Sequence, residues 1–204
     1  MSAQVSLYSW HTPSYQYVAL TNLQQLWDPG HRSALDIGGG TGVMAQTIKT
    51  LFRLNRVASV DVQDRFLRSL NIETAIYDGT TLPFADDSFD CILLFNVLHH
   101  VPAADRMALI HECHRVAGRG PIYIKDHISR GVLDDARLAI LDLLGNLPFR
   151  GMVSASYLRE EDWRDLATQT GYETSERLSG AYRGDVLGAL FPNRLEVSMR
   201  WRPV

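Results

Sequence analysis

Cysteine is scarce in this chain: two residues, Cys91 and Cys113, among 204. Neither falls in a paired or metal-type spacing, so a disulfide framework and a zinc motif are not expected to organise the fold. Both thiols sit in segments that read as core strand and helix, and are expected to be free and buried in a reducing compartment. Long apolar runs are missing too. The longest, 91–98, is broken by Asn96 and falls far short of the roughly 20 residues a spanning helix needs. Charge of one sign is not concentrated anywhere. The 20 Lys and Arg against 23 Asp and Glu leave a net charge of −3 with no basic block, so the footprint of a nucleic-acid binder is absent. Residues 1–10 carry neither a charged nor an apolar leader region, and the chain is read as cytoplasmic. No repeat, low-complexity tract or interdomain linker is visible, and the length suits one domain.

What is present begins with Leu35-Asp36-Ile37-Gly38-Gly39-Gly40-Thr41-Gly42. An apolar stretch ends in an acid, then a glycine-rich turn, then a helical pattern from Val43. Glycines at 38, 40 and 42 expose main chain to a ligand, because no Cβ stands in the way. The dinucleotide fingerprint G-x-G-x-x-G fails, since Val43 stands where its third glycine belongs, and no Lys follows Gly42 as a Walker A loop requires. The spacing that fits is D-x-G-x-G-x-G.

Strands and helices alternate from there. Strands are expected over Ser33–Ile37, 56–60, 74–77, 89–95 and 121–124, with helices over Val43–Leu51, 64–70 and 103–116. The run 89–95 is almost continuously apolar, as a strand buried on both faces of a parallel sheet should be. Five such repeats predict a doubly wound α/β sheet with helices on both faces, a three-layer sandwich. Helices over 132–144 and 159–170 and strands over Tyr172–Leu178 and 195–201 follow. The last strand alternates, with Leu195, Val197, Met199 and Trp201 on one face and Glu196, Ser198, Arg200 and Arg202 on the other. The parts are an N-terminal helical lid (1–30), a cofactor-binding core (31–127), a cap insertion (128–158) and a C-terminal helix with strands (159–204).

Ligands of open α/β sheets bind beyond the carboxyl ends of the strands. Polar residues stand at every such end: Asp36 with the glycine loop, Asp61, Asp78 with Gly79, Asn96 to His100, and Asp126 with His127. Asp61 is placed to accept hydrogen bonds from ribose hydroxyls. Asp78 is placed to accept from an adenine amino group, unless it serves an Asp-Gly turn.

The segment Asp78-Gly79-Thr80-Thr81-Leu82-Pro83-Phe84-Ala85-Asp86-Asp87-Ser88-Phe89-Asp90 and the segment Phe95-Asn96-Val97-Leu98-His99-His100-Val101 make the pattern more specific. Together with the glycine loop and Asp61, they resemble the class I S-adenosylmethionine-dependent methyltransferases of small-molecule type, near the quinone-biosynthesis subgroup. The likeness covers about residues 30–127. It implies a seven-stranded, mostly parallel sheet of order 3-2-1-4-5-7-6 with strand seven antiparallel. It also implies S-adenosyl-L-methionine as cofactor, leaving as S-adenosyl-L-homocysteine. Cofactor contacts carry over to Asp36, Gly38, Gly39, Gly40, Gly42, Asp61, Val62, Asp78, Gly79, Thr80, Asn96 and Val97. The Asn/Asp-Pro-Pro-aromatic motif of nucleic-acid amino-methyltransferases is replaced here by Asn96-Val97-Leu98-His99, which counts against base methylation.

Methyl transfer from a sulfonium is an in-line displacement, so alignment is the protein's main task. A hydroxyl or phenol acceptor also needs a proton acceptor, for which histidine suits. The candidates are His99, His100 and His127. One of the adjacent pair should face the cleft and the other should pack inward. His127 beside Asp126 forms an oriented pair only if both point the same way, which strand neighbours do not. His11 joins a lid or lies at the surface. Residues 132–144 read either as core or as a cap helix, with Tyr8, Trp10, Tyr15 and Tyr157 lining an apolar, aromatic acceptor pocket. No metal, nucleic acid or membrane span is expected, and the chain is a monomer or homodimer. Two other readings share the cofactor-site features. A nicotinamide-dependent reductase would share Asp61 and the turn, but lacks the third glycine and a Tyr-x-x-x-Lys pair. A non-catalytic S-adenosylmethionine-binding protein would keep the loop and the acids without turnover.

Overall fold

Asp61 ends its strand, Asp36 stands one residue before the end of its own, and Asn96 follows directly on a third, so the polar residues gather at one edge of the sheet. The computed structural model describes residues 14–146 and 155–204. Its elements are α1 (Ser14–Leu26), β1 (Ser33–Ile37), α2 (Val43–Leu51), β2 (Arg56–Asp61), β3 (Glu73–Ile76), β4 (Cys91–Phe95) and α3 (Arg106–Ala117). They continue as β5 (Ile122–His127), α4 (Val132–Asn146), α5 (Glu160–Gln169), β6 (Tyr172–Leu178), α6 (Asp185–Leu190) and β7 (Glu196–Pro203). The seven strands form one sheet of order β3-β2-β1-β4-β5-β7-β6. All pairings are parallel except those of β7, which runs antiparallel to β5 and β6.

Alternate residues of one strand feed two cores. Cys91 and Leu93 of β4 pack with Ala34, Val57 and Tyr123 under Leu23 and Leu26 of α1 and Ala45 and Ile48 of α2. Ile92 and Leu94 pack on the other face with Leu35, Val60 and Ile124, under Leu109 and Cys113 of α3 and Trp163 and Leu166 of α5. Cys91 to Leu94 have no exposed surface at all, as a strand central to a three-layer sandwich requires. Both cysteines are buried and unbridged.

One expectation is corrected. Residues 64–70 form no helix. The main-chain N–H of Leu67 donates to Thr41 O at 3.2 Å instead, and Leu70 and Phe66 pack against Gly42. Seven residues offer little return on helix nucleation when tertiary partners compete. On the polar face of β7, Glu196, Ser198 and Arg200 are buried, because β7 lies inside the sheet and α1 covers that face, while Arg202 is exposed. Asn22 of α1 donates to Ser198 Oγ at 3.2 Å, and Arg200 donates to Leu26 O at 2.8 Å. Finally, α4 buries a stripe of Asp134, Leu138 and Asp142, while Leu133, Ile140, Leu143 and Leu144 are exposed. Tyr8, Trp10 and His11 lie outside the described residues. Among the described residues, no helix is long and apolar enough to cross a membrane.

Candidate functional site

The β1–α2 turn is fixed by Val60 O, which accepts from the Gly38 and Gly39 amides at 2.8 and 3.1 Å. The glycines differ in what they are for. A Cβ on Gly38 would meet Val97 Cγ2 at 2.7 Å, one on Gly39 would meet Ser59 Oγ at 1.8 Å, and one on Gly42 would meet Leu70 Cδ1 at 2.5 Å. These three are required by packing. Gly40, with φ of 56°, has nothing within 4 Å of its Cβ direction, so here the backbone faces open space.

That space is a cavity of about 860 Å³ above the carboxyl ends of the strands, within the range of small-molecule sites. Gly38, Gly39, Gly40 and Thr41 line it, with Asp61 and Val62 after β2, Asp78, Gly79 and Thr80 after β3, and Asn96 and Val97 after β4. A smaller pocket of about 160 Å³ shares Gly38, Asn96 and Tyr15, and reaches Asp36 and Lys125. Of the twelve carried-over positions, only Gly42 lines neither pocket.

The acids at the strand tips are already partly engaged. Asp61 accepts from Gly40 N at 2.8 Å, Gln63 N at 3.0 Å and Arg65 at 3.0 Å. Its carboxylate therefore braces the glycine loop from the cavity rim. Asp78 Oδ1 accepts from the Thr80 and Thr81 amides at 2.8 and 2.9 Å, the turn geometry expected of Asp-Gly. Those bonds hold its carboxyl well below the ordinary value, at about 2. Buried Asp36 is pushed up to about 7 by loss of water, against the hydrogen bond from Ser59.

The far wall of the cavity is a polar cluster assembled from four elements. Asn96 adopts φ of 56° and bonds through its amide to Lys125 O at 2.7 Å, which turns the chain sharply after β4. Beyond it, the two histidines diverge as expected: His100 lines the cavity, whereas His99 is buried. His99 Nδ1 bonds to Asp126 Oδ1, whose other oxygen accepts from Leu98 N at 3.0 Å. Asp126 thus orients His99 and not the ring of His127. Lys125 and His127, two apart on β5, share the opposite face and converge on Glu196 of β7. Lys125 Nζ stands 2.6 Å and His127 Nδ1 3.0 Å from Glu196 Oε2. Arg183 closes the group by bonding to Glu196 Oε1.

Asp142 of α4 links the two histidine sets. Its oxygens lie 3.4 Å from His99 Nε2 and 3.3 Å from His127 Nε2, and it accepts from Tyr157 OH at 2.6 Å. Burial disfavours charge on His127, but Glu196 and Asp142 outweigh it and hold the imidazole up to about 9. His127 therefore carries its proton at neutral pH and is poorly suited to take one. Burial alone would raise Asp142, Asp126 and Glu196, yet neighbouring cations and hydrogen bonds keep all three below ordinary carboxylate values. Burial pulls the Lys125 ammonium down despite Glu196.

Sequence reasoning missed Asp142, Glu196, Arg183 and the role of Lys125. Only Asp142 had a signal, as an acid eight residues after Asp134 in a mostly apolar helix. Tyr15 lines the cavity as expected, while Tyr157 stacks on His99 at 5.6 Å and supports the wall from behind.

Residues 35–124 match a family model described as a methyltransferase domain. A flavonoid 4'-O-methyltransferase of Glycine max is 26% identical over 156 residues, covering 71% of this chain and 42% of that protein. Malonyl-acyl-carrier-protein O-methyltransferase 1 of Coxiella burnetii is 27% identical over 108 residues, covering 53% of this chain and 38% of its own length. The chain thus spans about two fifths of these curated relatives. In fold, it matches a Haloferax volcanii protein solved with the Trm112 methyltransferase activator, with a TM-score of 0.72, 13% identity and coverage of 93% and 90% of the two chains. Magnesium protoporphyrin IX methyltransferase of Synechocystis PCC 6803, solved with S-adenosylhomocysteine bound, aligns with a TM-score of 0.63 and 16% identity over 94% and 84% of the two chains.

Proposed function

We propose that this chain is a class I S-adenosylmethionine-dependent methyltransferase that moves a methyl group onto a small acceptor with an apolar or aromatic body, a reading that the match to a methyltransferase domain supports. One observation carries the reading: the tips of β1 to β4 and the histidine–carboxylate wall line a single cavity. A cofactor and an acceptor can therefore meet inside it, end to end.

In this reading, Asp61, Val62, Asp78, Gly79 and Thr80 hold the adenosine portion of the cofactor. Gly38 to Gly40, Asn96, Val97 and Asp36 hold its amino-acid portion. The open approach to the Gly40 backbone fits such a ligand. When bound, the cofactor supplies a methyl group that is already electrophilic on sulfur. The chain's own residues do the rest. Leu141 and Leu144 line the acceptor end and exclude water from it, while His100, His127, Asp142 and Arg183 give that end its polar wall. Ionised Asp142 accepts the hydrogen bond of an acceptor hydroxyl. As the acceptor oxygen takes the methyl group, whose bond to sulfur breaks, the hydroxyl proton passes to Asp142, and protonated His127 beside it opposes the negative charge on the oxygen. Such positioned proton handling contributes about 10²–10⁴-fold, and alignment of the reactants supplies a larger share.

Calorimetric titration with S-adenosylhomocysteine, with NADH in parallel, tests the cofactor end. Micromolar binding of the nucleoside, weakened at least tenfold in Asp61→Ala and absent for NADH, is expected. Binding of NADH alone would return the chain to the reductases. Turnover of acceptors bearing hydroxyls on aromatic or apolar frames, and its loss in Asp142→Asn with nucleoside affinity kept, tests the acceptor end.

A further inference from the structure

Behind the acceptor wall, His99 and His100 of the β4–α3 turn converge with Asp142 of α4. One ligand atom from each lies within 4.8 Å of the others. His99 Nε2 is aimed into the gap. Its side chain has no exposed surface, and this atom has no hydrogen-bond partner among the described residues. The other ring nitrogen is taken by Asp126, so Nε2 is the ring atom left for a further partner. It stands 3.4 Å from Asp142 Oδ2. An unpartnered ring nitrogen this close to a carboxylate oxygen, both buried, leaves a gap that a cation can bridge.

The His99–Asp142 spacing suits a metal. Ligand atoms about 2.1 Å from a tetrahedral zinc stand roughly 3.4 Å from one another. The surroundings also suit one. A carboxylate on the far nitrogen of a metal-binding histidine fixes its tautomer and raises its basicity, which is the place Asp126 occupies. Tyr157 donates to Asp142 at 2.6 Å and orients the third ligand. Two imidazoles with one carboxylate favour zinc-type dications over magnesium or calcium, which prefer oxygen. His100 and Asp142 both line the cavity, so the open coordination position faces the acceptor end.

We propose that His99, His100 and Asp142 bind one first-row transition-metal dication of the zinc type, with Asp126 as the positioning residue for His99. The site rests on these side chains and not on the methyl-transfer reading.

Chelator-stripped full-length chain titrated with Co²⁺, followed by visible absorption and then displaced with Zn²⁺, tests it. One Co²⁺ per chain is expected, with ligand-field bands of low coordination number that Zn²⁺ abolishes and Mg²⁺ leaves untouched. His100→Ala is the leading variant because His100 is only partly buried. It should weaken Co²⁺ binding at least tenfold while keeping the parent's cooperative thermal transition. Asp126→Asn should weaken binding roughly 10–100-fold with the bands retained at saturating Co²⁺. Absence of bands and of Zn²⁺ binding heat in the parent would mean that a proton alone bridges His99 and Asp142, and would overturn the proposal. So would equal Co²⁺ affinity in the parent, His100→Ala and Asp142→Asn.

Discussion

The Lys125 ammonium lies 2.6 Å from the Glu196 carboxylate, 71 residues away in the chain, with both side chains withdrawn from water. The two are diagonal neighbours across β5 and β7, so their meeting is set by strand register (Lys125 opposite Ser198, His127 opposite Glu196). Glu196 faces three cations, Lys125, His127 and Arg183. Removing the shared anion should therefore do more harm than removing one cation. Glu196→Gln is expected to cost about 3–5 kcal/mol and Lys125→Met distinctly less, because Glu196 keeps two partners. Urea unfolding of both variants checks the order, and a larger loss in Lys125→Met would refute it.

Asp36 should tilt stability with pH. Folding raises its pKa from 3.8 to about 7, so the folded chain binds a proton that the unfolded chain has released. The contribution is most favourable below about pH 4, declines as pH rises, and levels off above about pH 7 at a cost on the order of 4 kcal/mol. Asp36→Asn should remove that decline. Unfolding midpoints of parent and variant measured at intervals across this range should diverge as pH rises, with the variant ahead. Parallel curves would count against the shift.

Gly39 and Gly40 should respond oppositely to alanine. At Gly39 the new methyl strikes Ser59 Oγ and Asp36 Oδ2, so Gly39→Ala is expected to lower the thermal midpoint strongly and disturb the Asp36–Ser59 bond. At Gly40 the methyl meets no protein atom, leaving only the left-handed backbone to strain, at roughly 1 kcal/mol. Gly40→Ala should fold and bind S-adenosylhomocysteine poorly. Equal thermal losses in the two variants would contradict this division.

Arg106 ties the histidine turn to the segment after α4. It donates to Leu98 O at 3.0 Å, Val101 O at 3.1 Å and Ser156 O at 2.6 Å, while Ser156 N donates to His99 O at 2.7 Å. Lysine cannot supply this planar fork. Arg106→Lys is expected to cost roughly 1–3 kcal/mol and to speed hydrogen exchange at the Ser156 amide. An unchanged Ser156 exchange rate would show that the turn holds without the guanidinium.

The cofactor half was legible because its information is local. Apolar runs of strand length end in Asp36, Asp61 and Asn96, and the sheet brings successive strand tips to one edge whatever lies between them. The acceptor wall was not legible, because each of its residues is defined by a distant partner. The alternation of a strand turns Asp126 away from His127, but only the fold shows that its mate is His99. Glu196 reads only as part of the polar face of an alternating strand, and it is the insertion of β7 between β5 and β6 that buries it. Along α4 the leucines suggest a core helix, but its buried stripe holds Asp134 and Asp142 because it packs against cations and histidines. Residues 64–70 have the apolar content of a helix, and tertiary contacts with the glycine loop overrule it.

The order in which the strands are made differs from the order in which they pair. Synthesis delivers β6 before β7, although β7 must lie between β5 and β6. On the ribosome, both strands therefore wait with one edge unsatisfied, and Lys125 and His127 wait without the carboxylate that gathers them. A chain cut anywhere before Glu196 lacks the carboxylate on which Lys125, His127 and Arg183 converge. Insertion of β7 thus joins β6 to the sheet and gives Lys125 and His127 their shared anion in one step.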